Sequence, residues 1–157
     1  MKAISLTLLT FLCLALSTQA RIGETLDECI KRYGEPAQRP QPKTLLFHKS
    51  GIAITCFFVD GLCVQLSYKK LDAATRLNER EVEILRMANG SKWQLRPDGS
   101  HNPTIHWRNE ICECLWDRNT GLLQFETLEE KKRKGAEMRA QEKKQLEGDR
   151  KSTRLNS

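Results

Sequence analysis

The feature that most constrains this chain is a pair of apolar runs on either side of Asp60-Gly61. Residues 52–59 and 62–68 are rich in β-branched and aromatic side chains. An Asp-Gly pair between two such runs is a strong signal for a β-hairpin, because a tight hairpin turn needs residues that tolerate positive φ. The sequence therefore predicts two antiparallel strands here, and the rest of the chain is expected to pack on them.

The length of this turn decides which side chains share a face. A two-residue turn pairs Phe58 with Cys63 on the inner face. It then requires a bulge near Val64 or Gln65 to return Leu66 to that face, because side chains alternate along a strand. A three-residue loop would instead turn Cys63 outward. We favour the two-residue turn.

Capping boxes mark the starts of two helices. Thr25–Glu28 begins a helix that Gly34 ends, and Asn78–Glu81 begins a helix that Asn89 ends. Apolar residues then recur at helical spacing and predict one buried stripe on each helix. The predicted stripes consist of Leu26, Cys29, Ile30 and Tyr33 in the first helix, and of Val82, Ile84, Leu85, Met87 and Ala88 in the second.

Strand patterns follow each helix, so the second part of the chain repeats the plan of the first. The predicted strands cover residues 44–48, 52–59, 62–69, 93–96, 104–108, 111–117 and 122–127. We interpret this as an α+β fold in which an α-β-β-β unit is used twice, with helices on one antiparallel sheet. Residues 21–127 form the single domain, with halves of about 21–72 and 73–127.

The N-terminus has the pattern of an export signal. Lys2 precedes an apolar run that is too short to span a bilayer, and the small residue Ala20 follows. The sequence thus predicts a signal peptide over residues 1–20 and a bacterial protein that is periplasmic or secreted. After cleavage we expect no stable insertion into a membrane.

The C-terminus is polar and charged. Residues 128–148 mix basic and acidic side chains without a sustained apolar stripe, which predicts a solvated helical tail; a partner-binding arm is the alternative. Residues 149–157 resemble a translated sequencing adapter and are left out of fold prediction. The formal net charge of +6 comes mostly from Lys2 and from residues 128–157. The domain itself is nearly neutral, so we do not expect nucleic acid as a partner.

Five cysteines follow the predicted signal peptide, namely Cys29, Cys56, Cys63, Cys112 and Cys114. An oxidising compartment favours disulfide bonds, and an odd number leaves at least one thiol. The register of the hairpin favours a bridge between Cys29 and Cys63, with Cys29 to Cys56 as the alternative. Cys112 and Cys114 are too far apart to pair comfortably with each other, which leaves open a bridge from one of them to Cys56.

Several segments resemble known exported proteins. The sequence Ile22-Gly-Glu-Thr, then Cys29, then Arg32-Tyr-Gly-Glu-Pro36, is similar to a family of small exported bacterial proteins of uncharacterised function. Phe58, Asp60-Gly61, Cys63 and Tyr68 continue this similarity. More distantly, the pattern Gly-x-Thr-x-x-x-Cys, then Gly-x-Pro, then Phe-x-Asp-Gly within residues 22–68 resembles the SmpA/OmlA outer-membrane assembly lipoproteins and the β-lactamase-inhibitor-like fold. This resemblance implies a protein that binds other proteins and is not an enzyme. The lipobox of the lipoproteins is missing, so their membrane anchor is not implied.

No catalytic motif or cofactor motif accompanies these features. Cys112 and Cys114 with His101 and His106 suggest a thiol-redox or metal site as an alternative, but their spacing matches no common zinc pattern. Trp93, Trp107 and Trp116 are expected in the core, and would mark a binding surface if exposed. We therefore predict a non-catalytic binding module of the cell envelope, whose partner is another envelope protein. A structural secreted protein without a binding role is a further alternative.

Overall fold

The computed structural model describes residues 22–97 and 103–155, so the predicted signal peptide and His101 lie outside the described residues. Three helices and eight strands follow in the order α1 (Leu26–Tyr33), β1 (Gln38–Gln41), β2 (Thr44–Lys49), β3 (Ile52–Val59), β4 (Leu62–Lys70), α2 (Glu79–Ala88), β5 (Gln94–Leu95), β6 (Thr104–Arg108), β7 (Cys112–Asp117), β8 (Leu122–Thr127) and α3 (Leu128–Leu155). A mixed α+β fold with a C-terminal helix is confirmed.

All eight strands join one antiparallel sheet in the order β1-β2-β3-β4-β8-β7-β6-β5. Each half of the chain contributes four adjacent strands. The halves meet in the middle, where β4 pairs with β8 and Tyr68 lies opposite Leu123. The short strands β1 and β5 form the two edges.

Each half therefore contains four strands after its helix, so the predicted α-β-β-β unit has one strand too few in both halves. The strand segments predicted for the second half nevertheless include all four of its strands, whereas β1 was missed in the first half. Pro36, Pro40 and Pro42 indicate only an extended segment around residues 38–41. These residues nevertheless pair with β2, although Pro40 has no N–H to donate. An edge strand is where the sheet tolerates such a residue, since one side of the strand needs no partner.

The predicted helix boundaries are confirmed at the caps. The Thr25 N–H donates to the Glu28 carboxylate at 2.8 Å, and the Asn78 N–H donates to the Glu81 carboxylate at 3.0 Å. Gly34 ends α1 with φ of 91°, a conformation that glycine adopts without steric cost.

The stripe of α2 differs from the prediction. Val82 and Leu85 are buried, but Ile84 and Met87 are 59% and 51% exposed. The buried side of the helix continues instead to Asn89, which is fully buried although it is polar. The helix was identified correctly, but Ile84 and Met87 were assigned to its buried face and are exposed. A helix with many apolar residues has two neighbouring apolar faces, and the spacing alone does not say which one is buried.

The hairpin of β3 and β4 has the predicted two-residue turn. Val59 pairs with Leu62 and Phe58 with Cys63, and the register then shifts so that Phe57 pairs with Gln65. Val64 is the extra residue, which confirms the bulge. Buried side chains of the two strands consequently share one face, namely Ile54, Cys56, Phe58, Cys63, Leu66 and Tyr68.

Both short helices cover this same face of the sheet. Tyr33 of α1 packs on Phe47 with ring centroids 5.5 Å apart, and Val82 and Leu85 of α2 belong to the same buried cluster. We call this the inner face. The opposite side, which α1 and α2 leave uncovered, is the open face.

A row of hydrogen-bonded polar side chains crosses the centre of the inner face. The Tyr68 hydroxyl lies 3.2 Å from the Tyr33 hydroxyl and accepts a hydrogen bond of 3.2 Å from the side-chain amide of Asn89. Asn89 also donates to the Leu85 carbonyl at 2.7 Å. Tyr68 on β4 therefore links α1 to the end of α2.

We predict that Tyr68→Phe destabilises the fold more than Tyr33→Phe does. Removing the Tyr68 hydroxyl leaves a buried amide donor of Asn89 with one partner fewer, which typically costs about 1–2 kcal/mol. Tyr33→Phe keeps the bond between Asn89 and Tyr68 and serves as the matched control. Urea unfolding gives the free energy of unfolding of both variants. A Tyr68→Phe protein as stable as Tyr33→Phe would contradict the stabilising role of the hydrogen bond between Asn89 and Tyr68.

Candidate functional site

Three thiols converge on the inner face beneath α1. Cys29 on α1 interacts with both Cys56 on β3 and Cys63 on β4, and all three side chains are fully buried. Side-chain interactions with Cys56 and Cys63 lower the pKa of Cys29, and the interaction with Cys29 raises the pKa of Cys56 and of Cys63. The Cys63 thiol itself donates to the Gln65 carbonyl at 3.3 Å.

This cluster contains the residues of the predicted bridge and of its alternative. All three are thiols in this structure, so the disulfide between Cys29 and Cys63 stays a prediction. Only one pair among three thiols can be joined at a time. Since Cys29 interacts with both of the others, it is common to the two predicted bridges.

The structure does not bring Cys56 near Cys112 or Cys114, which are on β7. Strands β4 and β8 lie between β3 and β7. Three strand spacings amount to about 14 Å, well beyond the reach of a disulfide. The proposed bridge across the sheet was wrong, because the sequence pattern predicts the face of a strand but not its neighbours.

Cys112 and Cys114 are fully buried on the inner face. Burial raises the pKa of the Cys112 thiol to about 12 and raises that of Cys114 as well. His106 points to the open face, where its Nε2 lies 3.3 Å from Glu113. Among the residues that the structure describes, no group of three or more His, Cys, Asp or Glu side chains could hold a metal ion.

The three tryptophans form no exposed patch. Trp116 is buried, and Trp93 and Trp107 are partly buried against the core. The Arg86 guanidinium lies over the Trp107 ring at 5.3 Å from its centroid. The expectation that Trp116 belongs to the core is confirmed, and the condition for a tryptophan binding surface is not met.

The open face is lined by the alternate side chains of the same strands. They are only partly buried, and most are polar or of moderate size: Thr44, Leu46, Thr55, Phe57, Gln65, Ser67, His106, Glu113, Leu115, Gln124 and Glu126. This composition differs from that of the inner face, where aromatic, aliphatic and cysteine side chains predominate.

Helix α3 leaves the end of β8 and lies over part of the open face. Lys131 forms an ion pair with Glu113, and Lys134 contacts Glu126 at 2.7 Å and Gln65 at 3.1 Å. These contacts reach β7, β8 and β4. They hold the first turns of α3 against the centre of the sheet.

Glu130 and Arg133 strengthen this start of the helix. Glu130 is only 3% exposed, and the Arg133 guanidinium donates to it at 2.6 Å. The ion pair with Arg133 outweighs burial and lowers the pKa of Glu130. The predicted solvated tail is therefore anchored at its beginning, while most of its later described side chains are exposed.

Two clefts flank α3 on the open face. One, of about 370 Å³, lies between Thr55, Ser67 and Lys134. The other, of about 150 Å³, lies between His106, Glu113 and Lys131. The larger cleft is lined mostly by polar side chains, including three short ones, and the smaller cleft mostly by long polar and charged side chains of β6, β7, β8 and α3.

Sequence reasoning missed this arrangement. Lys131 and Lys134 are three residues apart, which places them on one side of a helix, and this signal was available. The short turn at residues 118–121 indicates that the strands of Glu113 and Glu126 are neighbours, but nothing in the sequence indicates that the strand of Gln65 lies beside them.

No known protein family matches this chain, and no curated protein or solved structure is significantly similar to it. Within residues 22–97 and 103–155, no helix is long and apolar enough to cross a membrane. The function is therefore inferred from the geometry of the sheet and of α3.

We predict that the oxidised protein contains a bridge from Cys29 to Cys63 or to Cys56, and none from the Cys29 cluster to Cys112 or Cys114. Non-reducing peptide mapping of the mature protein tests this. Cys29→Ser removes the shared partner and should lower stability by about 3 kcal/mol if the bridge forms, since a loop of thirty-odd residues is closed. Cys114→Ser, which is outside the cluster, should leave the mapped bridge intact. Recovery of Cys29 as a free thiol would contradict the prediction.

We also predict that acid releases the start of α3. Burial opposes the ionisation of Glu113, but Lys131 and His106 outweigh it, so its pKa lies below the ordinary 4.5. A lowered pKa means that the stabilisation is complete above 4.5 and is lost as the pH falls through the folded value. Amide exchange of residues 128–134 measures the effect.

Glu113→Gln should increase this exchange at neutral pH, and the difference from the natural protein should vanish once Glu113 is protonated. Glu129→Gln, at an exposed acid of the same helix, is the control and should change little. A Glu113→Gln protein with unchanged exchange at neutral pH would show that the Lys131 contact does not hold the helix.

Proposed function

We propose that this protein is an exported envelope protein that acts as a non-catalytic protein-binding module, with the open face as its binding surface. The single observation that carries the proposal is that one side of an eight-stranded sheet is not covered by α1 or α2. A broad face of this kind, with mixed polar and apolar side chains, has the composition of a non-obligate protein interface.

The shape and anchoring of α3 support the same proposal. Its first turns are fixed on the open face by Lys131 and Lys134, and clefts of about 370 and 150 Å³ remain on its two sides. A partner could insert side chains into these clefts while it contacts the rigid strands beneath. Rigid strands favour binding because little conformational entropy is lost there.

The alternative of thiol-redox chemistry at Cys112 and Cys114 has weaker support. Reactive cysteines are generally accessible and have a lowered pKa. Both residues are fully buried, and burial raises the pKa of both. A binding role requires no such exposure of the thiols.

Site-specific photocrosslinking tests the proposal. A photoreactive residue at Ser67, on the open face, should give a discrete adduct with an envelope protein. The same residue at Glu83, on the exposed side of α2, is the matched control and should give none. Gln124→Arg, which enlarges a side chain on the open face, should abolish the Ser67 adduct, whereas Glu83→Arg should not.

Two results would contradict the proposal. The first is an equal set of adducts from Ser67 and Glu83, which would indicate non-specific contact. The second is a Ser67 adduct that persists in the Gln124→Arg protein, because an added side chain on the open face must interfere with a partner that binds there.

A further inference from the structure

A separate cleft of about 440 Å³ opens at one corner of the sheet, between the β1–β2 turn and the β3–β4 turn. Its apolar part consists of Leu26, Leu45 and Phe58, and Pro40 and Pro42 extend this surface. Leu45 and Phe58 belong to the inner face, and Leu26 is the first residue of α1. The volume is within the range typical of small-molecule sites.

The charged residues that line this cleft are all basic. Arg39 and Lys43 line it, and no acidic residue does. Neither side chain forms an ion pair within the described ranges, although many other basic side chains of this protein do. Two unpaired cations beside an apolar cavity provide electrostatic complementarity for an anion with an apolar body.

The backbone at Lys43 adds an independent observation. Pro42 and Lys43 form the turn between β1 and β2, and Lys43 has φ of 69°. A turn with proline followed by positive φ favours glycine at the second position, because a side chain there is sterically disfavoured. The turn is held in place by the Phe58 N–H, which donates to the Lys43 carbonyl at 2.8 Å. Lys43 therefore has a strained backbone conformation at the edge of the cleft that it lines.

We propose that this cleft binds a small amphiphilic carboxylate, whose apolar chain lies against Leu26, Leu45 and Phe58 and whose carboxylate is held by Arg39 and Lys43. Arginine and lysine are the usual partners of a carboxylate, and arginine can bind both of its oxygens. The site does not depend on the proposed function, because Leu45 and Phe58 belong to the inner face; the cleft borders the open face only at Gln41 and Thr44, which also line the cleft of about 370 Å³.

The test uses decanoate as the probe and the full-length mature protein. We expect decanoate, below its micellar concentration, to shift the amide NMR signals of Leu26, Phe58 and Gly61. Decylamine has the same chain and the opposite charge, and it should bind at least about tenfold more weakly because it loses the charge-assisted hydrogen bonds.

Variants then separate binding from folding. Arg39→Gln should weaken decanoate binding by about tenfold, the usual consequence of losing one charge-assisted hydrogen bond. Lys43→Gly should weaken it similarly while the melting temperature stays equal or rises, since glycine removes the strain at positive φ. Lys132→Gln, at an exposed lysine of α3, is the matched control and should bind as the natural protein does.

Three outcomes would overturn the proposal. Decylamine that binds as tightly as decanoate would show that the cations do not select the ligand. If Arg39→Gln and Lys43→Gly bind decanoate as tightly as the unsubstituted protein does, the carboxylate is held elsewhere. A peptide with a C-terminal leucine that binds in place of decanoate would show that the occupant is a chain end and not a free acid.

Discussion

Strand β4 pairs with β8 along residues 65–68, and the two halves of the chain are joined there into one sheet. The pairs Leu66–Phe125 and Tyr68–Leu123 are almost completely buried, so this seam lies at the centre of the core. The Tyr68 hydroxyl adds contacts to Tyr33 of the first half and to Asn89 of the second. Without the seam, each half would be a four-stranded sheet with an additional exposed edge, which is a liability for a small domain.

The position of the open face depends on the same seam. Both short helices pack on one side of the sheet, and within residues 22–97 and 103–155 the segment after β8 is the one that covers part of the other side. Because β8 is a central strand, the chain emerges at the middle of the sheet, and α3 can lie on the open face at once. Lys131 and Lys134 reach Glu113 and Glu126 only because β7 and β8 are adjacent.

Local signals in the sequence predicted local structure well. The capping boxes at Thr25 and Asn78 and the turn at Asp60-Gly61 depend on interactions within a few residues, and all three were correct. Apart from the exposed Ile84 and Met87 of α2, the failures concern relations between distant segments: the sequence left open a bridge from Cys56 to Cys112 or Cys114, and it did not indicate all the partners of α3. Periodicity indicates which face of a strand is buried, but strand order depends on the free energy of the whole core.

The thiol cluster of Cys29, Cys56 and Cys63 lies next to the cleft at the corner of the sheet. The packing of one site therefore affects the packing of the other. Leu45 pairs with Cys56 across β2 and β3, and Phe58 pairs with Cys63 across β3 and β4. Leu26 is about one helical turn before Cys29. Each apolar residue of the cleft is therefore close to one of the three thiols. Since packed side chains transmit small displacements, the packing around Leu26, Leu45 and Phe58 depends on the packing of the three thiols beside them.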